Sequence, residues 1–278
     1  MSDETKETAE VKDPKPVGPP KSVFREYFES FTITLIMALF GMTFVLQAVT
    51  VPTGSMQNTI LVGDYLLVNK FIFTPGGWDM PFLPQREIQR GDIIVFKYPG
   101  NRVNPRKDSS RNPPLQPYQI NYVKRVIGLP GETVEFKDNH VYINGQLLPE
   151  HRIIGDADSE VAALETREFE PRKPEDKWDV YYSAETMKDV QRERRLMRPD
   201  YEFAVPGKPM VVPPNQFFVM GDSRDNSEDS RFWGFVPREL IIGRAMFVYW
   251  SCDRAASNGN MFGCLTNPRL NRIGKFVK

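Results

Sequence analysis

The chain has 278 residues with 36 basic and 36 acidic side chains, so its formal net charge is zero, and it contains only 2 His and 2 Cys. This balance argues against a general nucleic-acid binder, because such a protein needs a surplus of basic residues to displace the counterions of nucleic acid. The few His and Cys residues match no metal-ligand spacing, so neither a zinc site nor another metal or cofactor is expected.

An uncharged run near the N-terminus is the first predicted element. Residues 30–63 contain no Asp, Glu, Lys or Arg, and residues 31–51 are apolar. As a helix this apolar segment is about 31 Å long, enough to cross the hydrocarbon core of a bilayer. A cleaved signal sequence and a buried soluble helix are the alternatives, but the apolar stretch of a signal sequence is shorter and lies closer to the N-terminus. We therefore predict a transmembrane helix over residues 31–51, behind a disordered tail of residues 1–30.

The flanking charges predict the orientation of this helix. Lys15, Lys21 and Arg25 precede it, whereas only Lys70 follows at a similar distance. Because basic residues concentrate on the cytoplasmic side, we expect a single-pass protein with a cytoplasmic N-terminus. Residues 52–278 would then form a domain on the extracytoplasmic side.

Residues 52–278 are predicted to be mainly β structure in antiparallel sheets. Short apolar runs rich in β-branched and aromatic residues are bounded by Gly, Pro, Asn or Asp, which is typical of strands. The predicted strands cover residues 65–68, 92–96, 122–127, 134–136, 140–143, 216–220 and 244–250. The segment 134–143 has Asp138 and Asn139 at its centre and predicts a hairpin, and Asn144-Gly145 predicts a second turn.

Two insertions interrupt this β pattern. Residues 101–117 are rich in Pro, Arg and Ser and are predicted to be a surface loop. Residues 156–199 carry mixed charges, and residues 184–197 among them have helical character. We therefore expect an inserted, partly helical and β-rich subdomain within the β domain.

The first candidate motif, residues 53–56, directly follows the predicted membrane helix. Gly54 permits a close backbone approach, and Ser55 can present its hydroxyl at a turn. Alone this signal is weak, since Gly-Ser turns are common. It is neither a Gly-x-Ser-x-Gly nucleophile elbow, because Gln57 occupies the last place, nor a Ser-x-x-Lys motif, because Asn58 stands where the Lys would be.

The second motif, residues 121–131, contains two adjacent cations. In a strand, Tyr122 and Lys124 share one face with Val126, and Arg125 lies on the other face. The residues alone leave two interpretations open: an edge strand whose two cations reach solvent, or a desolvated lysine that acts as a general base.

The third motif, residues 220–234, alternates acids, arginines and hydroxyls. Such a segment is either a solvated turn or a buried network in which Asp and Arg neutralise one another. A calcium loop is disfavoured, because the Gly and Glu that the EF-hand spacing requires are missing.

Together with residues 91–96, these three motifs resemble the ordered motif boxes of bacterial type I signal peptidases. The resemblance covers roughly residues 51–250 in the correct order, with the two insertions poorly covered, and four boxes in order are far more specific than one. It implies a membrane-bound serine endopeptidase of the bacterial cytoplasmic membrane that removes signal peptides from secretory preproteins. It also implies the lipid bilayer and the nearby protein-export translocon as partners.

The resemblance implies a role for each motif residue. Ser55 would be the nucleophile and Lys124 the general base, while the Ser55 backbone N–H and the Thr53 hydroxyl would hold the oxyanion. Many family members have Ser in place of Thr53. Because a free Lys has a pKa of about 10.4, burial must lower the pKa of Lys124 by roughly 2 to 3 for work near neutrality. The supporting residues implied by the third motif are Ser227, which orients the amine, the salt bridge of Asp229 with Arg231, and the structural residues Asp222 and Arg224.

The resemblance also implies a substrate with small residues at the first and third positions before the cut, as in Ala-x-Ala. The pocket residues implied by the same matching are Val51, Pro52, Met56, Ile60, Tyr122 and Val123. Because Ser55 lies only four residues past residue 51, we expect the reaction to take place at the membrane surface.

Cys252 and Cys264 leave two possibilities open, a disulfide, which an extracytoplasmic location allows, or two free thiols.

Two other functions also compete with a signal peptidase. One is a self-cleaving repressor with a similar Ser/Lys pair, which should carry a DNA-binding helical domain and lack the anchor. The other is a non-enzymatic anchored β domain of the cell envelope, which would not require Ser55, Lys124 and Ser227 together.

Overall fold

The computed structural model of the chain describes residues 22–73, 85–156, 165–191, 201–254 and 261–278. Most of the predicted disordered tail lies outside these residues. The described α-helices are α1 Val23–Phe40, α2 Pro105–Ser109, α3 Ala184–Gln191, α4 Ser230–Trp233 and α5 Met261–Thr266. The described strands are β1 Leu46–Thr50, β2 Asp64–Asn69, β3 Ile93–Lys97, β4 Asn121–Gly128, β5 Thr133–Lys137, β6 His140–Ile143, β7 Gln146–Leu147, β8 His151–Asp156, β9 Glu165–Glu168, β10 Asp179–Ser183, β11 Met210–Val211, β12 Gln216–Met220, β13 Val236–Pro237 and β14 Ile241–Ser251.

Helix α1 continues into a π-helical turn, Gly41–Val45, and together they form one apolar segment of 23 residues. Ser22 caps its N-terminus by accepting a hydrogen bond from the backbone N–H of Arg25 at 3.3 Å. The hydroxyls of Thr32 and Thr34 donate to carbonyls one turn earlier, so these polar groups are satisfied within the helix. None of its residues is buried in the protein. Its length and composition therefore fit a membrane anchor.

The helix differs from the predicted range 31–51 at both ends. It begins at Val23, and its apolar segment ends at Val45, because residues 46–50 form strand β1. Strand β1 pairs with β2 in an antiparallel register from Leu46↔Asn69 to Thr50↔Tyr65. Hydropathy alone does not distinguish these last residues from the helix, since a strand in a sheet is equally apolar.

The main sheet contains seven of the described strands in the order β1-β2-β14-β3-β4-β12-β13, and the pairings among them are antiparallel. Strand β4, which carries the second motif, lies between β3 and β12 and is not an edge strand. Its alternating side chains enter different hydrophobic clusters, so Val126 packs with Phe96 and Ile127 with Val134. Lys124 and Arg125 are therefore both buried, and the interpretation of two solvent-reaching cations is wrong.

A four-stranded sheet, β11-β5-β6-β7, contains the predicted hairpin and its second turn. Asp138 and Asn139 have φ of 50° and 57°, and Asn144 has φ of 52°, values that the short polar side chains tolerate in tight hairpin turns.

The predicted insertions have structure of their own. The third described sheet, β10-β8-β9, includes the parallel pair β8–β10, which is an exception to the antiparallel pattern. Helix α3 starts at the predicted residue Ala184, and the rest of its predicted range, residues 192–197, lies outside the described residues. The loop over residues 101–117 contains the short helix α2.

Cys252 and Cys264 are joined in a disulfide that links the end of β14 to α5. Of the two possibilities left open by the sequence, the structure therefore has the bond. Closing such a loop stabilises the fold by about 3 kcal/mol in the chain-entropy model.

Candidate active site

The first and second motifs meet at Ser55 and Lys124. Ser55 lies in a 3-10 turn, Gly54–Met56, and Lys124 projects from β4. The distance between Lys124 Nζ and Ser55 Oγ is 2.5 Å. Ser55 is 8% exposed and Lys124 is 4% exposed, so the contact is largely shielded from water. The two residues are thus positioned for direct proton transfer.

The surroundings of Lys124 favour its neutral form. Burial lowers the pKa of Lys124 from 10.5 to about 8, opposed by the negative charges of Asp229, Glu228 and Asp222 and assisted by Arg231. On the same face of β4, the Tyr122 ring centroid lies 5.4 Å from Nζ. At a pKa of about 8, roughly one amine in ten is neutral at pH 7, against fewer than about one in a thousand for a free lysine.

The third motif forms the predicted buried salt bridge. Asp229 is completely buried and accepts hydrogen bonds from Arg231 Nε and Nη2, both at 2.8 Å. It also accepts from the backbone N–H of Gly221 at 3.0 Å and from Ser227 Oγ at 2.7 Å. Burial raises the pKa of Asp229, but the charge and hydrogen bonds of Arg231 outweigh this and hold the pKa below its ordinary value. Asp229 therefore stays ionised within the network.

Ser227 lines the same cleft as Ser55 and Lys124, but its described hydrogen bond is donated to Asp229. Within the described part of the chain, no hydrogen bond joins Ser227 to Lys124. Since a hydroxyl has one donor and two acceptor positions, Ser227 can still accept a hydrogen bond from the amine. Its orienting role stays a prediction.

Gly221 is a site residue that the sequence analysis did not single out. A Cβ atom at this position would lie 2.3 Å from Ser227 Oγ and 2.4 Å from the carbonyl oxygen of Ser55. The backbone N–H of Ser223 donates to that same Ser55 carbonyl at 3.2 Å. Glycine is required here because the third motif lies directly against the turn that carries Ser55.

Asp222 and Arg224 are both buried, but they do not pair with each other. Asp222 accepts hydrogen bonds from Arg125 Nε and Nη2 at 2.7 and 2.6 Å, and Arg224 forms an ion pair with Glu150 at 2.5 Å. The Arg125 guanidinium also lies 5.0 Å from the Trp178 ring centroid. These ion pairs fix β4 and the third motif relative to their neighbours. Glu150 and Trp178 carried no signal in the sequence that linked them to the site.

A cleft of about 540 Å³ opens beside Ser55 and Lys124. Five of the six predicted pocket residues line it, namely Val51, Pro52, Met56, Tyr122 and Val123. The structure does not bring Ile60 to the cleft, because its side chain is fully buried in a core cluster with Leu66 and Val68. These five residues form an apolar part of the lining, which suits uncharged substrate side chains.

Thr53 and Ser55 both line the cleft, and their role in holding the oxyanion stays a prediction. Thr53 is the residue immediately before the 3-10 turn, is exposed and lines the cleft. The first N–H groups of a helical turn have no carbonyl partner within the turn, which leaves the Ser55 N–H available to an external acceptor. An N–H and a hydroxyl can therefore meet at one substrate oxygen beside the nucleophile.

Comparison with known proteins shows the family of this chain. Residues 24–250 match the family described as "Signal peptidase, peptidase S26". The signal peptidase I of Aquifex aeolicus is 34% identical, with 90% of this chain and 97% of that protein covered, and that of Pseudomonas aeruginosa is 31% identical, with 90% and 78% covered. A crystal structure of a signal peptidase I from Enterococcus faecalis is 26% identical with a TM-score of 0.29, and the match covers 57% of this chain and 97% of that one. On the family match and these sequence relatives, the chain belongs to the signal peptidase I, peptidase S26 family and is a serine endopeptidase that removes signal peptides.

Proposed function

We propose that Ser55 and Lys124 are the nucleophile and general base with which this chain cleaves signal peptides. The observation that carries the proposal is the 2.5 Å contact between Lys124 Nζ and Ser55 Oγ in a buried site. A lysine whose pKa is lowered to about 8 holds its neutral form often enough to accept a proton near neutrality. The chemistry then needs no histidine and no metal.

In the first half of the reaction, the Ser55 hydroxyl gives its proton to the neutral Lys124 amine while Oγ attacks the scissile carbonyl carbon. The carbonyl oxygen gains the negative charge, which the Ser55 N–H and the Thr53 hydroxyl stabilise. The Lys124 ammonium then gives its proton to the leaving amine as the peptide bond breaks. The mature protein leaves, and the signal peptide stays as an ester on Ser55.

In the second half, a water molecule takes the place of the leaving amine. Neutral Lys124 accepts a proton from this water as its oxygen attacks the ester carbonyl, and the oxyanion is held at the same two donors. The ammonium returns the proton to Ser55 Oγ as the ester bond breaks. The signal peptide is released as a carboxylic acid, and the enzyme is restored.

The apolar part of the cleft supports cleavage after Ala-x-Ala. Apolar surface beside Ser55 comes from Val51, Pro52, Met56, Tyr122 and Val123. A small side chain fits such a space, whereas a bulky one forces its neighbours out of their packed positions. We expect a peptide with Ala at the first position before the cut to be cleaved and a peptide with Phe there to be resistant.

We also propose the location of this reaction. The apolar segment Val23–Val45 would cross the bacterial cytoplasmic membrane once, with the N-terminus in the cytoplasm because Lys15, Lys21 and Arg25 precede or begin it. Residues 46–278 would then act on the extracytoplasmic side, on preproteins that leave the export translocon.

The test is a preprotein cleavage assay with the full chain in detergent. Ser55→Ala and Lys124→Met should each lower kcat/KM by at least about 1000-fold, since nucleophile and base act as a unit. Lys97→Met is the matched control, because Lys97 is an exposed lysine at the end of β3. Cleavage retained in either dyad variant, with urea unfolding curves that show both to be folded, would refute the proposal.

A further inference from the structure

The loop over residues 101–117 forms part of the wall of the active-site cleft. Arg111 and Leu115 line the cleft together with Ser55 and Lys124. The loop is anchored by Asp108, which is buried and accepts hydrogen bonds from the Tyr98 hydroxyl at 2.8 Å and the Asn101 backbone N–H at 2.7 Å. The position of the loop beside the cleft is therefore fixed by buried contacts.

An ion pair joins this loop to the third motif within the cleft. Arg111 Nη2 donates to Glu228 Oε1, and both residues line the cleft. The side chains are 41% and 35% exposed, respectively. Ion pairs of this exposure contribute only about 0–1 kcal/mol, so a charged group of a substrate can compete with this pairing.

The two partners differ in how firmly they are held. Glu228 lies between Ser227 and Asp229, which are both buried and hydrogen-bonded to each other, so its short side chain stays at the cleft. Arg111 has a long side chain on a loop, is already 41% exposed, and can turn further toward solvent once its weak ion pair with Glu228 is exchanged. The fixed charge at this wall of the cleft is therefore negative.

An extended substrate would present one of its side chains to this charged wall. Successive side chains of an extended peptide point to opposite sides. If the first and third residues before the cut enter the apolar part of the cleft, the second residue points away from it. Among the described residues, the charged side chains that line the cleft besides Lys124 are Arg111 and Glu228.

We infer that Glu228, with Arg111 as its exchangeable counter-ion, is a specificity-determining residue that favours a basic over an acidic side chain at the middle position of the Ala-x-Ala sequence. A Lys at this position replaces Arg111 on Glu228, and Arg111 turns to solvent. A Glu at this position meets a carboxylate that cannot leave. This inference rests on the proposed function, because it assumes cleavage after Ala-x-Ala.

The test compares kcat/KM for three otherwise identical peptides with Lys, Gln or Glu at the middle position. Wild-type enzyme should cleave the Lys peptide about tenfold faster than the Glu peptide. In Glu228→Gln the ratio should fall to about one, and in the double variant Arg111→Glu, Glu228→Arg it should invert. Arg106→Gln is the matched control, because Arg106 is exposed on the same loop but does not line the cleft. Within one enzyme the ratio is independent of any change in the pKa of Lys124.

Each outcome bears on one of the two proposals. A wild-type ratio within about twofold of one, or a preference for Lys that survives Glu228→Gln, overturns the inference while the proposed function stands, provided the Gln peptide is cleaved. The proposed substrate preference would instead be overturned if none of the three peptides were cleaved and a sequence without small residues at the first and third positions were cleaved.

Discussion

Two buried cations near the cleft, Lys124 and Arg231, have opposite environments. Each is almost completely removed from water. Burial lowers the pKa of Lys124 to about 8, and no carboxylate of the described residues forms an ion pair with its amine. Burial also lowers the pKa of Arg231, but the adjoining Asp229 carboxylate outweighs this and raises it above its ordinary value. Burial alone therefore does not determine protonation, because contact with a carboxylate decides whether the positive charge stays.

This difference separates two tasks within one short stretch of structure. The arginine pairs, Arg231–Asp229 and Arg125–Asp222, keep their charges and hold the backbone of the third motif and β4 in place. The lysine has Ser55 as its hydrogen-bond partner instead and can lose its proton. Two permanently charged ion pairs, Arg231–Asp229 and Arg125–Asp222, thus lie near one group that can change its charge.

The largest expected effect on stability comes from removing the Asp229 carboxylate from its ion pair with Arg231. Asp229→Ala leaves the guanidinium of Arg231 buried without its carboxylate, which should lower the free energy of unfolding by about 3–5 kcal/mol. Urea unfolding at pH 7 measures this change. Glu239→Ala, at an exposed position, is the control and should change the free energy by less than about 0.5 kcal/mol. A loss below about 1 kcal/mol in Asp229→Ala would show that Arg231 does not depend on this partner.

Removal of the Lys124 amine should raise the free energy of unfolding, whereas removal of the Asp229 carboxylate lowers it. Because the pKa of Lys124 is about 8 in the folded state and 10.5 in its ordinary state, the unfolded chain binds more protons between these pH values, and wild-type stability rises with pH across this window. Below pH 8 the full cost of the buried ammonium remains. Lys124→Met should therefore be inactive but more stable than wild type at pH 7 by about 3 kcal/mol, an advantage that disappears above about pH 10.5.

Urea unfolding of wild type and Lys124→Met at pH 7 and pH 10 tests this second prediction. Arg231→Met is the informative companion, since it leaves the buried Asp229 carboxylate unpaired and should be destabilised at both pH values. If Lys124→Met were destabilised as Arg231→Met is, the contrast between the two cations would be wrong.

Activity should follow the same titration. Since only the neutral amine accepts the Ser55 proton, kcat/KM should rise with pH up to about 8 and then level off. At pH 6 it should be about 100-fold below the plateau, because each unit below the pKa removes a factor of ten from the neutral fraction. A profile from pH 6 to pH 9 with a peptide substrate provides the measurement. A flat profile would exclude Lys124 as the titrating base.

Much of the strand pattern could be predicted from sequence because it depends on local signals, whereas the pairing of Ser55 with Lys124 was implied only by the ordered motifs of the resemblance. Strand β12 has the predicted bounds, Gln216–Met220, and the turn at Asp138-Asn139 forms where polar residues interrupt an apolar alternation. The alternation along β4 also placed Tyr122 and Lys124 on one face, as the ring contact confirms. Family membership then decides against a self-cleaving repressor and a non-enzymatic envelope domain.

What could not be predicted depends on partners distant in sequence. Glu150, which neutralises the buried Arg224, comes from a different sheet, and Gly221 is required only because the Ser55 carbonyl lies against it. Ile60 is buried because a core cluster covers it. The end of the helix depends on a distant partner in the same way, since pairing with β2, rather than hydropathy, makes residues 46–50 a strand.

The smallest expected effect is that of removing the Tyr122 hydroxyl. It tests whether the apolar ring or the hydroxyl of Tyr122 influences the pKa of Lys124. Burial raises the pKa of Tyr122 to about 12, so the phenol stays neutral across the assay range and Tyr122→Phe changes no charge near Lys124. The ring that lies 5.4 Å from Nζ remains in this variant, and the midpoint of the pH profile should move by less than about 0.3. Tyr122→Ala admits water to the amine and should move the midpoint upward, toward the 10.5 of an exposed lysine. If Tyr122→Phe shifted the midpoint as far as Tyr122→Ala, the hydroxyl rather than the apolar ring would control the pKa of Lys124.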